Sequence, residues 1–104
     1  MKNNLDSKAV KDFYRAVLSL KDEAECAAFF SDLFTVNELL SISQRLEVGY
    51  KLLNKETYQK ISNETGASTA TISRVNRLLS NEKNSIEMVK GRSGILGKFG
   101  GDKG

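Results

Sequence analysis

The sequence predicts an all-α fold of six helices. Three observations carry that expectation. None of the 104 residues is proline, so the commonest helix breaker is absent. Apolar residues recur at steps of three and four along much of the chain, as one face of a helix requires. Residues that cap helix N-termini stand just ahead of several of these runs.

Residues 1–5 read as a frayed terminus. From residue 6 to about 20 the apolar residues are Val10, Phe13, Tyr14, Val17 and Leu18, one helical face, with Asp6 as the expected cap. Asp22 and Glu25 have capping-box spacing for a second helix, which presents Cys26, Phe29, Phe30 and Leu33. Thr35 and Glu38 form a better box, T-x-x-E, and open a long third helix to about Asn54. This helix is apolar on more than one side, with Leu39, Leu40, Ile42, Leu46, Val48, Tyr50, Leu52 and Leu53. A surface helix in a small domain shows one apolar stripe. The expectation is therefore that a second subunit covers part of it. Two short helices follow at about 57–65 and 68–79. A last helix fits residues 82–90, with Ile86 and Val89 as its apolar contacts. Residues 1–90 then form one domain. Residues 91–104, GRSGILGKFGGDKG, read as a glycine-rich flexible tail, although Ile95, Leu96 and Phe99 suggest that part of it docks.

The chain is organised around residues 58–78, YQKISNETGASTATISRVNRL. Gly66 is the pivot. It can take the left-handed conformation that ends one helix without a Cβ penalty. Ser68 can cap the next by accepting from its free N–H groups. Ile61, Ile72 and Val75 would meet in the angle between the helices, and the small Ser62 lets them approach. Ser68, Thr69, Thr71, Ser73, Arg74, Asn76 and Arg77 fall on the outer side of the second helix. Such side chains hydrogen-bond to base edges and phosphates. The pattern is that of a helix-turn-helix, and double-stranded DNA is the expected partner. An ordinary helical corner in a packed core would share the buried pattern but not the exposed chemistry.

The net charge of +3 is unevenly placed. Residues 1–50 hold six Lys/Arg and eight Asp/Glu, whereas residues 51–79 hold five basic and two acidic residues. The segment with the helix-turn-helix thus has the sign that phosphates attract. The excess is small, so a single copy should bind weakly.

Other chemistry is thinly supplied. There is no histidine, which removes histidine general bases and histidine-built metal sites. Cys26 is the single cysteine and sits beside Phe29 and Phe30, so it reads as a packing residue. Glu23 and Glu25 are two apart on a helix and do not share a face. No enzyme activity, catalytic residue, metal or cofactor is expected. No apolar run reaches the roughly 18 residues a membrane span needs, and MKNNLDSKAV has no apolar core of a secretory signal. A cytoplasmic protein without membrane association is the economical expectation.

The residues of 33–79 resemble the DNA-binding half of the Trp repressor. The resemblance rests on LFT at 33–35, Arg45 in the long helix, LL at 52–53 and above all NETGASTATISR at 63–74. With its FYRAVLSLK start and glycine-rich end, the chain is most similar to the YerC/YecD branch of Trp-repressor-like proteins, over nearly its full length to about Lys90. The resemblance implies an intertwined homodimer of six-helix chains whose second motif helix enters the major groove. It also implies an effector pocket: Arg45 and Arg74 match the arginines that flank the repressor's indole ligand, and Thr35 matches a threonine lining that site. Two positions depart. Val75 stands where the repressor has a glycine beside the ligand, and Leu78 where it has a serine that helps hold the ligand's amino group. The connection at 54–57 is also one residue shorter. Both substitutions put apolar bulk where tryptophan would lie.

Together these readings give a homodimeric, sequence-specific DNA-binding transcriptional regulator, a repressor by resemblance, that does not depend on tryptophan. Thr69, Ala70, Thr71 and Arg74 are the expected base-edge readers; Gln59, Lys60 and Arg77 would touch phosphates. Thr35, Arg45, Arg74, Val75 and Leu78 would surround an effector other than tryptophan, if one binds. The alternative is a protein-interaction module whose helix-turn-helix only packs. RNA is a weaker partner, because no aromatic lies on the outer face of the motif for base stacking.

Overall fold

The computed structural model describes residues 4–81 and 84–99, and among them it has six α-helices and no strand. In order they are α1 (Lys8–Leu18), α2 (Glu23–Leu33), α3 (Val36–Leu53), α4 (Tyr58–Thr65), α5 (Thr69–Leu79) and α6 (Ile86–Phe99). The chain divides into two compact units, Met1–Leu39 and Leu40–Gly104.

The first unit is held by caps and phenylalanines. Ser7, not Asp6, caps α1: its Oγ accepts from the Val10 N–H at 3.2 Å. Ser7 is the residue in extended backbone directly before the helix, which is what a cap requires. The helix ends two residues short of Leu20, where the Ser19 hydroxyl donates to the Ala16 carbonyl at 2.7 Å. In α2, Asp22 accepts from the Glu25 N–H at 2.9 Å. The Glu25 carboxylate reaches one residue further back than a capping box does and accepts from the Lys21 N–H at 2.8 Å. Thr35 and Glu38 form the full reciprocal box at the start of α3, at 3.1 and 2.9 Å. Phe13 of α1 lies 6.4 Å, centroid to centroid, from both Phe29 of α2 and Phe34, and Phe30 stacks on Phe34 at 5.5 Å. These spacings are those of favourable aromatic pairs. Even so, no residue of α1 or α2 is buried, and Leu18 is 82% exposed.

The second unit holds the buried core: Val48 of α3, Ile61 of α4, Ala67 in the turn, and Ile72 and Val75 of α5, with Leu52 and Tyr58 packed against them. Side chains of this kind contribute roughly 1.5–3 kcal/mol each when fully buried. The end of α3 is a reversal the sequence does not announce. The Glu56 N–H donates to the Lys51 carbonyl at 3.1 Å and the Lys55 N–H to the Leu52 carbonyl at 2.9 Å. That is the Schellman pattern, with Lys55 at φ +67° in the position usually given to glycine. Lys51 then ties the end of α3 to α4, its Nζ 2.7 Å from Glu64 Oε1 and 3.8 Å from Glu56 Oε1. Lys60 Nζ also lies 3.8 Å from Glu56 Oε1, a buried oxygen that accepts no hydrogen bond.

The last helix departs from expectation at both ends. It begins at Ile86 and runs to Phe99, past the tail boundary placed at Gly91. Glycines weaken a helix by about 1 kcal/mol each but do not break it, as proline would. A Cβ at Gly91 or Gly94 would meet nothing within 4 Å. The helix is held instead by its first turns: Tyr50 Oη lies 3.2 Å from Ser93 Oγ, and Lys90 Nζ stands 6.0 Å from the Tyr50 ring centroid. Val89 is exposed rather than packed. Residues 1–3, the expected helix start at 82–83, the side chains of Ile95, Leu96 and Phe99, and residues 100–104 lie outside the described residues.

Two outcomes follow for stability. Lys55→Gly relieves a left-handed strain of about 1–2 kcal/mol and gives back less in unfolded-chain entropy. Its thermal midpoint should rise by a few degrees; an unchanged or lower midpoint would contradict the strain. The second outcome concerns pH. The hydrogen bond from Lys51 holds the Glu64 carboxyl below the ordinary glutamate range, and the same bond raises the Lys51 ammonium. A lowered carboxyl stabilises the fold above its unfolded value, and that contribution disappears as pH falls through its folded value; the raised ammonium loses its contribution only in alkali. Urea titrations from neutral to about pH 3 should therefore show stability falling. Glu64→Gln should have a shallower fall, and an unchanged slope would show that this pair is not coupled to folding.

Candidate nucleic-acid interface

The motif geometry begins at two caps and a left-handed turn. Thr57 Oγ1 accepts from the Lys60 N–H at 3.2 Å and starts α4. Gly66, at φ +78°, ends it, with its N–H donating to the Ser62 carbonyl at 2.9 Å. Thr65 braces the turn from within. Its hydroxyl donates to the Ile61 carbonyl at 2.7 Å and accepts from the Ala67 N–H at 3.1 Å. Gln44 of α3 braces it from outside, donating through Nε2 to the Thr65 carbonyl at 3.1 Å. Ser68 Oγ accepts from the Thr71 N–H at 3.1 Å and starts α5. Ile61, Ile72 and Val75 are buried together as the spacing predicts, and Ala67 joins them at 2% exposure.

With one side of α5 locked in the core, the opposite side faces outward. Thr69, Ala70, Ser73, Arg74, Asn76 and Arg77 are exposed, and Thr71 is half-buried. Gln59 and Lys60 are exposed on α4. Apart from Thr71, which is half-buried and lines the hollow beside the motif, the base-reading and phosphate-touching candidates lie on the open surfaces of the two motif helices, in the basic segment of the chain.

Beside the motif is a hollow of about 210 Å³ lined by Ser41, Gln44, Arg45, Thr71, Arg74, Val75 and Leu78. The structure brings four of the five expected pocket residues together here: Arg45, Arg74, Val75 and Leu78. Thr35 belongs to the first unit, where its side chain caps α3. Val75 is turned into the core, 2% exposed, its Cγ1 3.6 Å from where a Cβ on Gly49 would stand. Its bulk is taken up in the core, at ordinary contact distance from the Gly49 position, and a hollow remains beside the two arginines. Leu78 is 56% exposed at the rim.

The model of the Trp repressor protein family matches residues 8–92. The chain belongs to the Trp repressor family. It is 49% identical over 90 residues to the uncharacterized protein YerC of Bacillus subtilis (strain 168), covering 86% of each chain. It is similar in structure to a TrpR-like protein from Eubacterium eligens ATCC 27750, with 48% identity, a TM-score of 0.84 and coverage of 89% of this chain and 96% of the other. A candidate Trp repressor from Staphylococcus aureus gives 40% identity, a TM-score of 0.82 and coverage of 90% and 97%. Among the described residues no helix is long and apolar enough to cross a membrane.

Within this Trp-repressor-like frame, several contributing residues escaped sequence reading. Gln44 and Thr65 are polar residues on helical segments with no signal of their own until the turn is seen. Ser41 of the hollow has none either. Gly49 could have been noticed, because a glycine inside a long apolar helix marks either weakness or a close approach.

Proposed function

We propose that the chain is a sequence-specific DNA-binding transcriptional regulator, a repressor that acts as a homodimer and without tryptophan. The observation that carries this reading is α5 itself. Its inner side is fixed by Ile72 and Val75, its start by Ser68, and its outer side bares Thr69, Ala70, Ser73, Arg74 and Arg77. A rigid helix with hydroxyls and guanidiniums on its free side is what direct reading of a major groove needs. Thr69, Ala70, Thr71 and Arg74 would read base edges. Gln59, Lys60 and Arg77 would hold phosphates.

The dimer is supported by what one chain leaves uncovered. α1 and α2 bury nothing completely, and Leu18, Leu33, Val36, Leu40, Ile42 and Leu46 are exposed. Exposed apolar side chains of this kind, present in each unit, mark interaction surfaces. A second copy would also double the small basic excess and place two recognition helices about one DNA turn apart.

The hollow beside Arg45 and Arg74 offers donors to a small effector with acceptor groups. Val75 and Leu78 argue that such an effector is not tryptophan, because the glycine and serine of the repressor are both replaced by apolar side chains.

Two measurements test this reading. Fluorescence polarisation with duplex DNA should show salt-dependent binding and preference for particular sequences. Arg77→Ala should weaken all duplexes alike and lower the salt slope by about one. Arg74→Ala should cost about 1–3 kcal/mol at one base pair. The interaction-module alternative predicts no salt-dependent DNA binding and indifference to both changes. Calorimetry with tryptophan should give no binding heat; affinity tighter than about millimolar, roughly 4 kcal/mol, would overturn the exclusion.

A further inference from the structure

The side of α5 that carries Val75 and Leu78 borders an apolar hollow that the start of α6 also lines. Gly49 is buried in α3. A Cβ there would stand 3.2 Å from Ile86 Cγ2 and 3.6 Å from both Ile86 Cδ1 and Val75 Cγ1. The first residue of α6 and a core residue of α5 therefore both border the space beside this glycine, Ile86 closely enough that a Cβ would crowd it and Val75 at ordinary contact distance. Ile86 also lines, with Ile42, Leu46, Val75 and Leu78, an apolar hollow of about 220 Å³. Val75 and Leu78 are three apart on α5, so they lie on one side of it.

The start of α6 is fastened to both neighbours. Asn84 donates through Nδ2 to the carbonyls of Asn81, at 2.9 Å, and of Leu79, the last residue of α5, at 3.4 Å. Its Oδ1 accepts from the Glu87 N–H at 3.2 Å, inside the first turn of α6. Further along, Ser93 and Lys90 are set against Tyr50 of α3. Ile86 is thus seated by fixed points on either side of it. A rigid packed contact has one favoured arrangement, and a wedge of one side chain in it sets the position of the helices it separates.

We propose that α6 is a clamp on the recognition helix and that Ile86 is its positioning residue. Seated against Gly49 and beside Val75, it sets the angle at which α5 presents Thr69, Ala70 and Arg74. The contact with DNA rests on the function proposed above; the clamp itself does not.

Three variants test it. Ile86→Ala removes the wedge. Gly49→Val fills the space beside the glycine and displaces Ile86. Gly49→Ala meets Ile86 at 3.2 Å and so pushes it by a few tenths of an ångström, while the alanine favours the α3 helix, so it tests the seat without loss of fold. The first readout needs no DNA: amide shifts and hydrogen exchange along α5. Resonances of residues 73–79 should move in all three variants, with exchange about tenfold faster in Ile86→Ala and Gly49→Val, while α4 stays as it was. The second readout is the ratio of affinities for a selected duplex and a random one. It should fall about tenfold in Ile86→Ala and Gly49→Val, the size of one base contact, with random-duplex affinity unchanged. A merely structural role would lower both affinities in proportion and leave the ratio constant, and that result overturns the proposal. So does an α5 whose amides do not respond. If the unmodified protein shows no sequence preference, the DNA reading fails, and the α5 amides still decide the clamp.

Discussion

The structure depends on one buried contact, the meeting of Ile61, Ala67, Ile72 and Val75 with Val48 around a left-handed turn. Neither α4 nor α5 would stand alone. α4 has eight residues and α5 has eleven, both shorter than the length at which isolated helices persist in water. Their stability comes from the shared apolar patch and from the caps at Thr57, Gly66 and Ser68. The patch also fixes rotation. Once Ile72 and Val75 are buried, the positions of Thr69, Ala70, Ser73, Arg74 and Arg77 are decided by helical geometry alone. The chemistry presented outward is a consequence of the packing within.

The two units of the chain solve the burial problem differently. The second buries five side chains completely or nearly so. The first relies on half-buried phenylalanines and on caps, and completes no core of its own. Side chains such as Leu18 and Val36 have little to gain from folding in a single chain. The proposed second copy would supply what is missing, with a type of surface that a DNA-reading dimer also needs. The reading of α5 and the reading of α1 and α2 thus support each other from independent observations.

Local features were legible in the sequence because their causes are local. The box at Thr35 and Glu38, the cap at Ser68 and the left-handed glycine at 66 each depend on residues within four positions. The burial of Ile61, Ile72 and Val75 followed from spacing. Features that depend on distant partners were not legible. Lys55 adopts a left-handed conformation with no glycine to announce it, because the bonds to Lys51 and Leu52 and the ion pairs of Lys51 outweigh the cost. Asp6 and Ser7 are both good cap residues, and only the backbone shows which is used. The glycines from 91 onward suggested a tail, yet Tyr50 and Gly49, some forty residues earlier, hold the helix that contains the first of them. Periodicity says which face is buried, not against what. The same limit applies to the candidate site. The outer residues of α5 could be named from spacing, whereas the hollow needed Ser41 and Gln44.

The two apolar departures that the resemblance to the Trp repressor marks, Val75 and Leu78, belong to the proposed effector pocket. Val75 is absorbed by the core, and Leu78 sits at the rim of a hollow that keeps both arginines. The central claim is that this Trp-repressor-family chain reads DNA as a symmetric pair of recognition helices. Selection of bound duplexes from a random pool, without any added ligand, tests it most directly. The prediction is an enriched pair of inverted half-sites with centres about one helical turn apart, 10–10.5 base pairs. A pool that stays random, or one enriched in a single unrepeated motif, would contradict it.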